Sequence, residues 1–298
     1  MSYIGPVGAP QQRRALTLIA GHSGLRRSVE AFQNLIERSE SGRCRLWWAC
    51  RDETPLCAAL TVINPGRTGM VFIGPTEANQ APETADLLAR LTDETLQAGV
   101  CFVQAMLPRD DTAGGLFQRC GYFRLAQLIY MQRSLDELLP EIEAGLAWPR
   151  YDESRPEELA EVIPDTYVGS QDVPGLSGIR RIEDIIASHK AGGVYRPRNW
   201  WLPALNGQHV GCILLNDSSD DSGVEVVYLG VRPAFRRRGL ARAILRHALT
   251  DAASRGRRLA YLAVDAANAA AARLYEQEGF YETDRREVYI KKRCTSCG

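Results

Sequence analysis

Between Tyr228 and Leu249 the chain passes from a strand into a helix around four residues, Arg236-Arg237-Arg238-Gly239. Val224, Val226, Val227, Tyr228, Leu229 and Val231 suit a strand. Pro233 ends its ladder because it has no amide to donate. Leu240, Ala241, Ile244, Leu245, Ala248 and Leu249 then recur at the spacing of one buried helix face. The first amides of such a helix have no intrahelical acceptor and face outward as anion donors. Gly239 lets the backbone turn tightly and approach a ligand closely, and the arginines add positive charge at the same end. The stretch reads as a diphosphate cradle, with a plain basic surface turn as the other reading. It is neither a Walker loop nor a Gly-x-Gly-x-x-Gly turn.

A second stretch, Asn268 to Phe280, follows a short apolar run at Leu259–Val264 that fits a buried strand. Asn268 suits a helix N-cap and Gly279 the position just past the helix end. Arg236-x-x-Gly239-x-Ala241 after Val231-x-Pro233, then Asn268-x-x-Ala271-x-x-Leu274-Tyr275-Glu276-x-x-Gly279-Phe280, together resemble the two signatures of the GNAT superfamily of acyl-CoA N-acyltransferases. The resemblance implies an acyl-CoA co-substrate, acetyl-CoA above all, held by Arg236, Arg237, Arg238, Gly239, Leu240 and Ala241. It implies that the backbone of Leu229 and Val231 pairs with the pantetheine amides by strand addition. It also implies that Asn268 contacts the CoA arm and that Tyr275 protonates the leaving thiolate. Asn268 retains its simpler reading as a cap.

The 298 residues suffice for two domains, and an apolar share of 45% suits cores of normal size. With 36 basic and 36 acidic residues, no global field recruits nucleic acid or an anionic membrane. No apolar run reaches membrane-spanning length and residues 1–14 hold no signal core. Eight cysteines without framework spacing fit reduced thiols in a cytoplasmic protein. Cys294-x-x-Cys297 is half a zinc site without a partner pair and reads as a frayed tail. His22, His189, His209 and His247 form no ligand spacing, and no metal is expected.

The order of elements runs twice. Met1–Gln12 reads as a loose tail, Arg14–Ala20 as a strand and Leu25–Arg38 as a helix. Strands follow at Arg45–Cys50, Cys57–Ile63, Val71–Gly74, Val100–Leu107 and Leu125–Gln132, with a helix over Leu87–Leu96 and a short one near Leu116. In the second half Leu146–Tyr151 reads as a strand and Pro156–Val162 as a helix start. Strands recur at Trp200–Ala204, Val210–Asn216, Leu259–Val264 and Glu287–Lys291. Trp47-Trp48 matches Trp200-Trp201, and Leu116-Phe117-Gln118-Arg119-Cys120-Gly121-Tyr122 matches Leu274 to Phe280, with Asp110 where Asn268 falls. The expected fold is therefore α/β (α+β): two tandem GNAT domains, each a mixed, mainly antiparallel sheet flanked by helices, at 1–144 and 145–298. The tandem form with one degenerate half resembles mycothiol synthase architecture. The first copy lacks the cradle pattern, carrying Thr76-Glu77-Ala78-Asn79-Gln80-Ala81-Pro82-Glu83 instead, and Phe117 replaces the tyrosine. The second copy is longer by about a short helix and loop around Asp165–Gly193, which in GNAT folds walls the acceptor side. Asp165, Tyr167, Gln171 and Asp172 there suit a cationic amine, or else a solvated loop.

Amine acylation needs a neutral nucleophile, because an ammonium has no lone pair, and a carboxylate near the acyl carbon can take the proton directly or through water. Glu225 is the candidate base, where several GNAT enzymes place theirs, with Asp265 second. Strand alternation puts Glu225 on one face with Val227, Leu229 and Val231; the other reading is a strand-edge glutamate in water. The expected function is N-acyl transfer, acetyl foremost, from acyl-CoA to a primary amine by direct attack. The acceptor is a small amine or a peptide N-terminus, with a protein N-terminal acetyltransferase and a non-catalytic acyl-CoA-binding or interaction module as alternatives.

Overall fold

The structure, a computed structural model, describes residues 2–21, 28–74, 81–109, 111–137, 139–219 and 222–293. The chain forms two compact units, Met1–Leu125 with Arg286–Gly298, and Ala126–Arg285. Among the described residues no helix is long and apolar enough to cross a membrane.

The first unit runs β1 (Ser2–Pro6), α1 (Gln12–Ala20), α2 (Val29–Arg38), β2 (Cys44–Arg51), β3 (Thr54–Asn64), β4 (Thr68–Ile73), α3 (Ala81–Gln97), β5 (Phe102–Pro108) and α4 (Gly114–Arg119). The strands β1 to β4 pair antiparallel in order. β4 then meets β5 in parallel over only Thr68–Met70 and Phe102–Gln104. Two expectations fail here. Arg14–Ala20 lies in a helix, because its buried residues Ala15, Leu16 and Ile19 recur with period three to four and pack on Ala58, Leu60 and Val62. The supposed loose tail is an edge strand, since β2 offers an open ladder that Ser2–Pro6 completes.

The remaining elements are β6 (Phe123–Ser134), α5 (Pro156–Tyr167), α6 (Ile182–Ala191), β7 (Trp200–Trp201), β8 (Ala204–Leu205), β9 (Gln208–His209), β10 (Gly211–Asp217), β11 (Gly223–Val231), α7 (Leu240–Ser254), β12 (Leu259–Asp265), α8 (Ala269–Gln277) and β13 (Tyr281–Lys292). In the second unit β7, β10 and β11 pair antiparallel, β12 lies parallel to β11, and β6 lies antiparallel to β12. In the first unit it is Arg286–Lys292 of β13 that pairs with β5. Each unit is thus a mixed, mainly antiparallel sheet flanked by helices. The expected strand Leu146–Tyr151 reduces to two isolated bridges, Ala147 with Ala204 and Arg150 with Trp201, because Pro149 breaks the ladder. Pro203 likewise splits the expected Trp200–Ala204 strand into β7 and β8.

The helix pair α1–α2 repeats as α5–α6, and α2 and α6 each end nine residues before the first tryptophan of Trp47-Trp48 or Trp200-Trp201. The second half's extra length lies in a longer α5 and in residues 168–181, which include a short 3₁₀ helix at Pro174–Leu176.

Two cores sandwich the second sheet. Val224, Val226, Ile213 and Leu215 pack with Ile244, Leu245 and Leu249 of α7 and with Tyr275 and Phe280. Trp200, Cys212 and Leu214 pack with Leu159, Val162 and Ile163 of α5.

Candidate functional site

β11 and β12 pair only from Gly223 to Glu225 against Leu259 to Tyr261, and beyond that they separate. The register of β10 on β11 steps from Leu215–Val226 to Leu214–Tyr228, so Val227 is an extra, bulged residue. The bulge corrects the facing expected from simple alternation. Val227 and Tyr228 both pack toward α5 and α6, while Leu229 and Val231 pack toward α7. Glu225, flanked by Val224 and Val226 of the α7 core, shares the face of Val227 but not that of Leu229 and Val231. Arg232 donates its amide to Val210 at 2.9 Å. The amides of Val231 and Leu229 therefore point the other way, into the gap left by β12. The result is a cleft edged by unpaired strand amides.

The turn after β11 closes one end of that cleft. Arg237 and Gly239 are both left-handed, at φ 61° and 77°. Consecutive amides from Arg237 to Ala241 donate to no protein acceptor among the described residues. A Cβ added at Gly239 would meet nothing within 4 Å, so the space beside that residue is open. Arg237 and Arg238 are exposed beside it. Arg236 is committed elsewhere: Nε donates to the Val231 carbonyl at 2.9 Å and a terminal nitrogen to the Thr166 carbonyl at 2.8 Å. Leu240 is buried in the core and presents only its amide.

Asn268 caps α8, its Oδ1 accepting from the Ala271 amide at 3.2 Å. Tyr275 is 8% exposed and meets Phe280 edge-on at 5.8 Å. Burial, and then the Asp172 carboxylate, push its hydroxyl well above the ordinary tyrosine range, so it stays protonated. Glu278, unremarked in the sequence because it fills a variable position of the signature, is fully buried. It forms ion pairs with Arg242 at 2.9 Å and Arg246 at 2.7 Å, which fasten α8 to α7.

On the opposite face Glu225 reaches solvent, yet protein crowds its other sides and that burial raises its carboxyl above the usual range. Asp172 is similar: burial raises its carboxyl, the hydrogen bond from the Asp265 amide opposes the rise, and the Asp265 charge adds to it. Its Oδ1 accepts from the Asp265 amide at 3.4 Å. Asp265, the second candidate base, has its two oxygens engaged by the amides of Val173 at 3.2 Å and Ala267 at 3.0 Å. Tyr167 meets Tyr228 edge-on at 5.6 Å, and Tyr228 shares a 2.5 Å hydrogen bond with Thr166 Oγ1. Asp165 instead turns to an ion pair with Arg232 at 3.1 Å, and Gln171 is exposed. The structure thus brings Tyr167 against Tyr228, a residue read from sequence only as a strand former, and Asp172 against Asp265.

In the first unit Phe117 and Tyr122 meet edge-on at 5.0 Å, the counterpart of Tyr275 and Phe280. Phe117 is fully buried and brings no hydroxyl. Residues 76–80 of the loop replacing the cradle, Asp110, His22, Cys294 and Cys297 lie outside the described residues. Among the described residues no cluster of His, Cys, Asp and Glu is arranged to hold a metal ion.

Residues 178–280 match the model of the acetyltransferase (GNAT) family. The chain is 47% identical over 62 residues to the ribosomal protein bS18-alanine N-acetyltransferase of Salmonella typhimurium, 20% of this chain and 42% of that protein. It spans less than half the length of the curated relatives it matches. Its fold is that of a GCN5-related N-acetyltransferase from Sphaerobacter thermophilus, at TM-score 0.69 and 20% identity over 98% of this chain and 95% of that one. A tandem GNAT protein from the clavulanic acid biosynthesis pathway superposes with TM-score 0.61 at 12% identity, covering 99% of this chain and 100% of its own. Residues 178–280 are thus similar to the acetyltransferase (GNAT) family, and the chain as a whole shares the fold of a tandem GNAT protein.

Proposed function

We propose that the protein is an acyl-CoA-dependent N-acetyltransferase whose chemistry is carried by the second unit. The observation that supports this most is the run of uncommitted amides from Arg237 to Ala241, with open space beside Gly239, at the end of a splayed strand pair. Such donors at a helix N-terminus suit a diphosphate, and the free amides of Leu229 and Val231 suit the amide groups of a pantetheine arm. Arg237 and Arg238 add charge at the mouth. Arg236 acts through the backbone it holds, and Asn268 through the cap it provides. Acyl-CoA supplies the activated thioester.

The chain's own residues supply two proton movements. Glu225, its proton affinity raised by burial, takes the proton from the acceptor amine. The Tyr275 hydroxyl, kept protonated by burial, gives a proton to the departing thiolate. The first unit lacks that hydroxyl and serves as a structural partner. The acceptor is a primary amine, either a small molecule or a protein N-terminus; the Salmonella relative, named for an alanine of a ribosomal protein, favours including the latter. The deciding experiment presents acetyl-CoA with a panel of small amines and alanine-initiated peptides and follows free thiol. Amine-dependent thiol release supports the reading; acetyl-CoA binding without release from any acceptor supports a binding module instead.

A further inference from the structure

The bulge in β11 decides which amides of that strand face the cleft. Before it, Ser218 donates its amide to the Gly223 carbonyl at 2.9 Å, so Gly223 and Glu225 turn their backbone groups toward β10. After it, Arg232 donates to Val210 at 2.9 Å, and Arg232, Gly230 and Tyr228 are the residues turned toward β10. The extra residue Val227 makes the change from odd to even numbers. Without it, the amides of Leu229 and Val231 would bond to β10 and leave the cleft.

The bulge is held from the other face of the sheet. Tyr228, the residue after Val227, reaches α5, where its hydroxyl lies 2.5 Å from Thr166 Oγ1. Thr166 Oγ1 sends its own proton to the Ile163 carbonyl at 2.6 Å, so in this pair Tyr228 donates and Thr166 accepts. Thr166 is buried, and the Tyr228 ring packs on Tyr167 at 5.6 Å and on His189 at 5.3 Å. A Cβ added at Gly230 would come within 2.7 Å of Thr166 Cβ, of Thr166 Oγ1 and of the Tyr228 hydroxyl. The end of α5 therefore rests directly on the strand just past the bulge. The Thr166 carbonyl accepts from Arg236 at 2.8 Å, and Arg236 holds the Val231 carbonyl at 2.9 Å. One buried threonine thus meets β11 at the bulge through its hydroxyl and at the strand's end through its carbonyl.

Resting on the transferase reading above, we propose that Tyr228 and Thr166 are positioning residues for the acyl-CoA: their hydrogen bond pins the bulge of β11, and the pinned bulge keeps the Leu229 and Val231 amides turned toward the pantetheine arm. Both residues act through the backbone. The diphosphate cradle lies beyond this pin and does not depend on it.

Calorimetry on the full chain tests this by comparing CoA with ADP, which carries a diphosphate and lacks the pantetheine arm. Tyr228→Phe keeps the ring and removes the donated proton. Thr166→Val keeps the shape and removes the acceptor. Each should weaken CoA binding by about tenfold, the scale of one hydrogen bond, and leave ADP binding unchanged. The double variant should lose no more than either single one, because both remove the same bond. Thr166→Ser, which keeps the oxygen, should bind CoA as the wild type does. Unchanged CoA affinity in Tyr228→Phe overturns the proposal. So do equal losses for CoA and ADP, which would mark a general loosening of the unit, and so do additive losses in the double variant. CoA binding that depends on Tyr228 in this way, with no thiol released to any amine, would uphold the pin and overturn the transferase reading.

Discussion

Arg236 and Val231 are joined across the turn that ends β11, the guanidinium Nε donating to the carbonyl at 2.9 Å. With its second bond to Thr166 on α5, Arg236 shapes the cradle. Arg236→Ala should cost about 2 kcal/mol, the worth of charge-assisted hydrogen bonds. It should lower Tm by about 5 °C and weaken CoA binding, and Arg236→Lys should not restore the forked contact. Arg237→Ala, on an exposed side chain, should leave Tm unchanged and weaken CoA binding in a salt-dependent way. Thermal melts with and without CoA distinguish the two. A normal Tm in Arg236→Ala would show that the residue acts by charge alone.

Gly239 separates space from strain. Its φ of 77° disfavours a β-branched residue by about 1–3 kcal/mol, whereas asparagine tolerates that region. Both Gly239→Val and Gly239→Asn should lose CoA affinity, because each fills the open space beside that residue. Only Gly239→Val should also lose stability. Unchanged CoA affinity in a folded Gly239→Asn protein removes the cradle.

Burial raises the Glu225 carboxyl, so its ionisation opposes folding. The sign follows from linkage. The cost is present in full above the raised folded pKa, shrinks as pH falls through it, and is gone below the unfolded value of about 4.3. Glu225→Gln should therefore raise Tm at pH 8 and leave it unchanged near pH 4. Melting curves at the two pH values check this. Equal Tm at pH 8 would make Glu225 a solvated edge residue.

The two signatures were legible because they are local: a strand, a turn with a left-handed glycine, and a capped helix each declare themselves within a few residues. Non-local pairing was not legible. Ser2–Pro6 has little strand character and becomes one because β2 offers an open edge. Arg14–Ala20 carried a helical spacing that its apolar content masked, and misreading it hid the repeated helix pair. The bulge at Val227 has no mark in the sequence, since it arises from the register of β10, yet it decides which face carries Glu225. Tyr228 reads from sequence only as a strand former and His189 only as a histidine outside any ligand spacing, because it is folding that brings α6 against β11 and sets their rings 5.3 Å apart.

Phe117 stands where the second unit has Tyr275, and the sequence of the first unit lacks the cradle pattern. Calorimetric titration should find one CoA per chain, and Gly239→Val should abolish it. A second site that survives Gly239→Val would place CoA in the first unit as well.

The central claim is the division of proton transfer between Tyr275 and Glu225, and pH–rate profiles of Tyr275→Phe and Glu225→Gln with a productive amine test it most directly. Tyr275→Phe keeps the ring that packs on Phe280 and removes only the hydroxyl. Turnover should fall by roughly 10²-fold, the usual worth of a general acid, with acetyl-CoA affinity retained and no recovery at high pH. Glu225→Gln should be most defective at low pH, where the amine is protonated, and should recover as pH rises and free amine appears unaided. Wild-type turnover in Tyr275→Phe, or a Glu225→Gln defect that does not change with pH, would contradict the account.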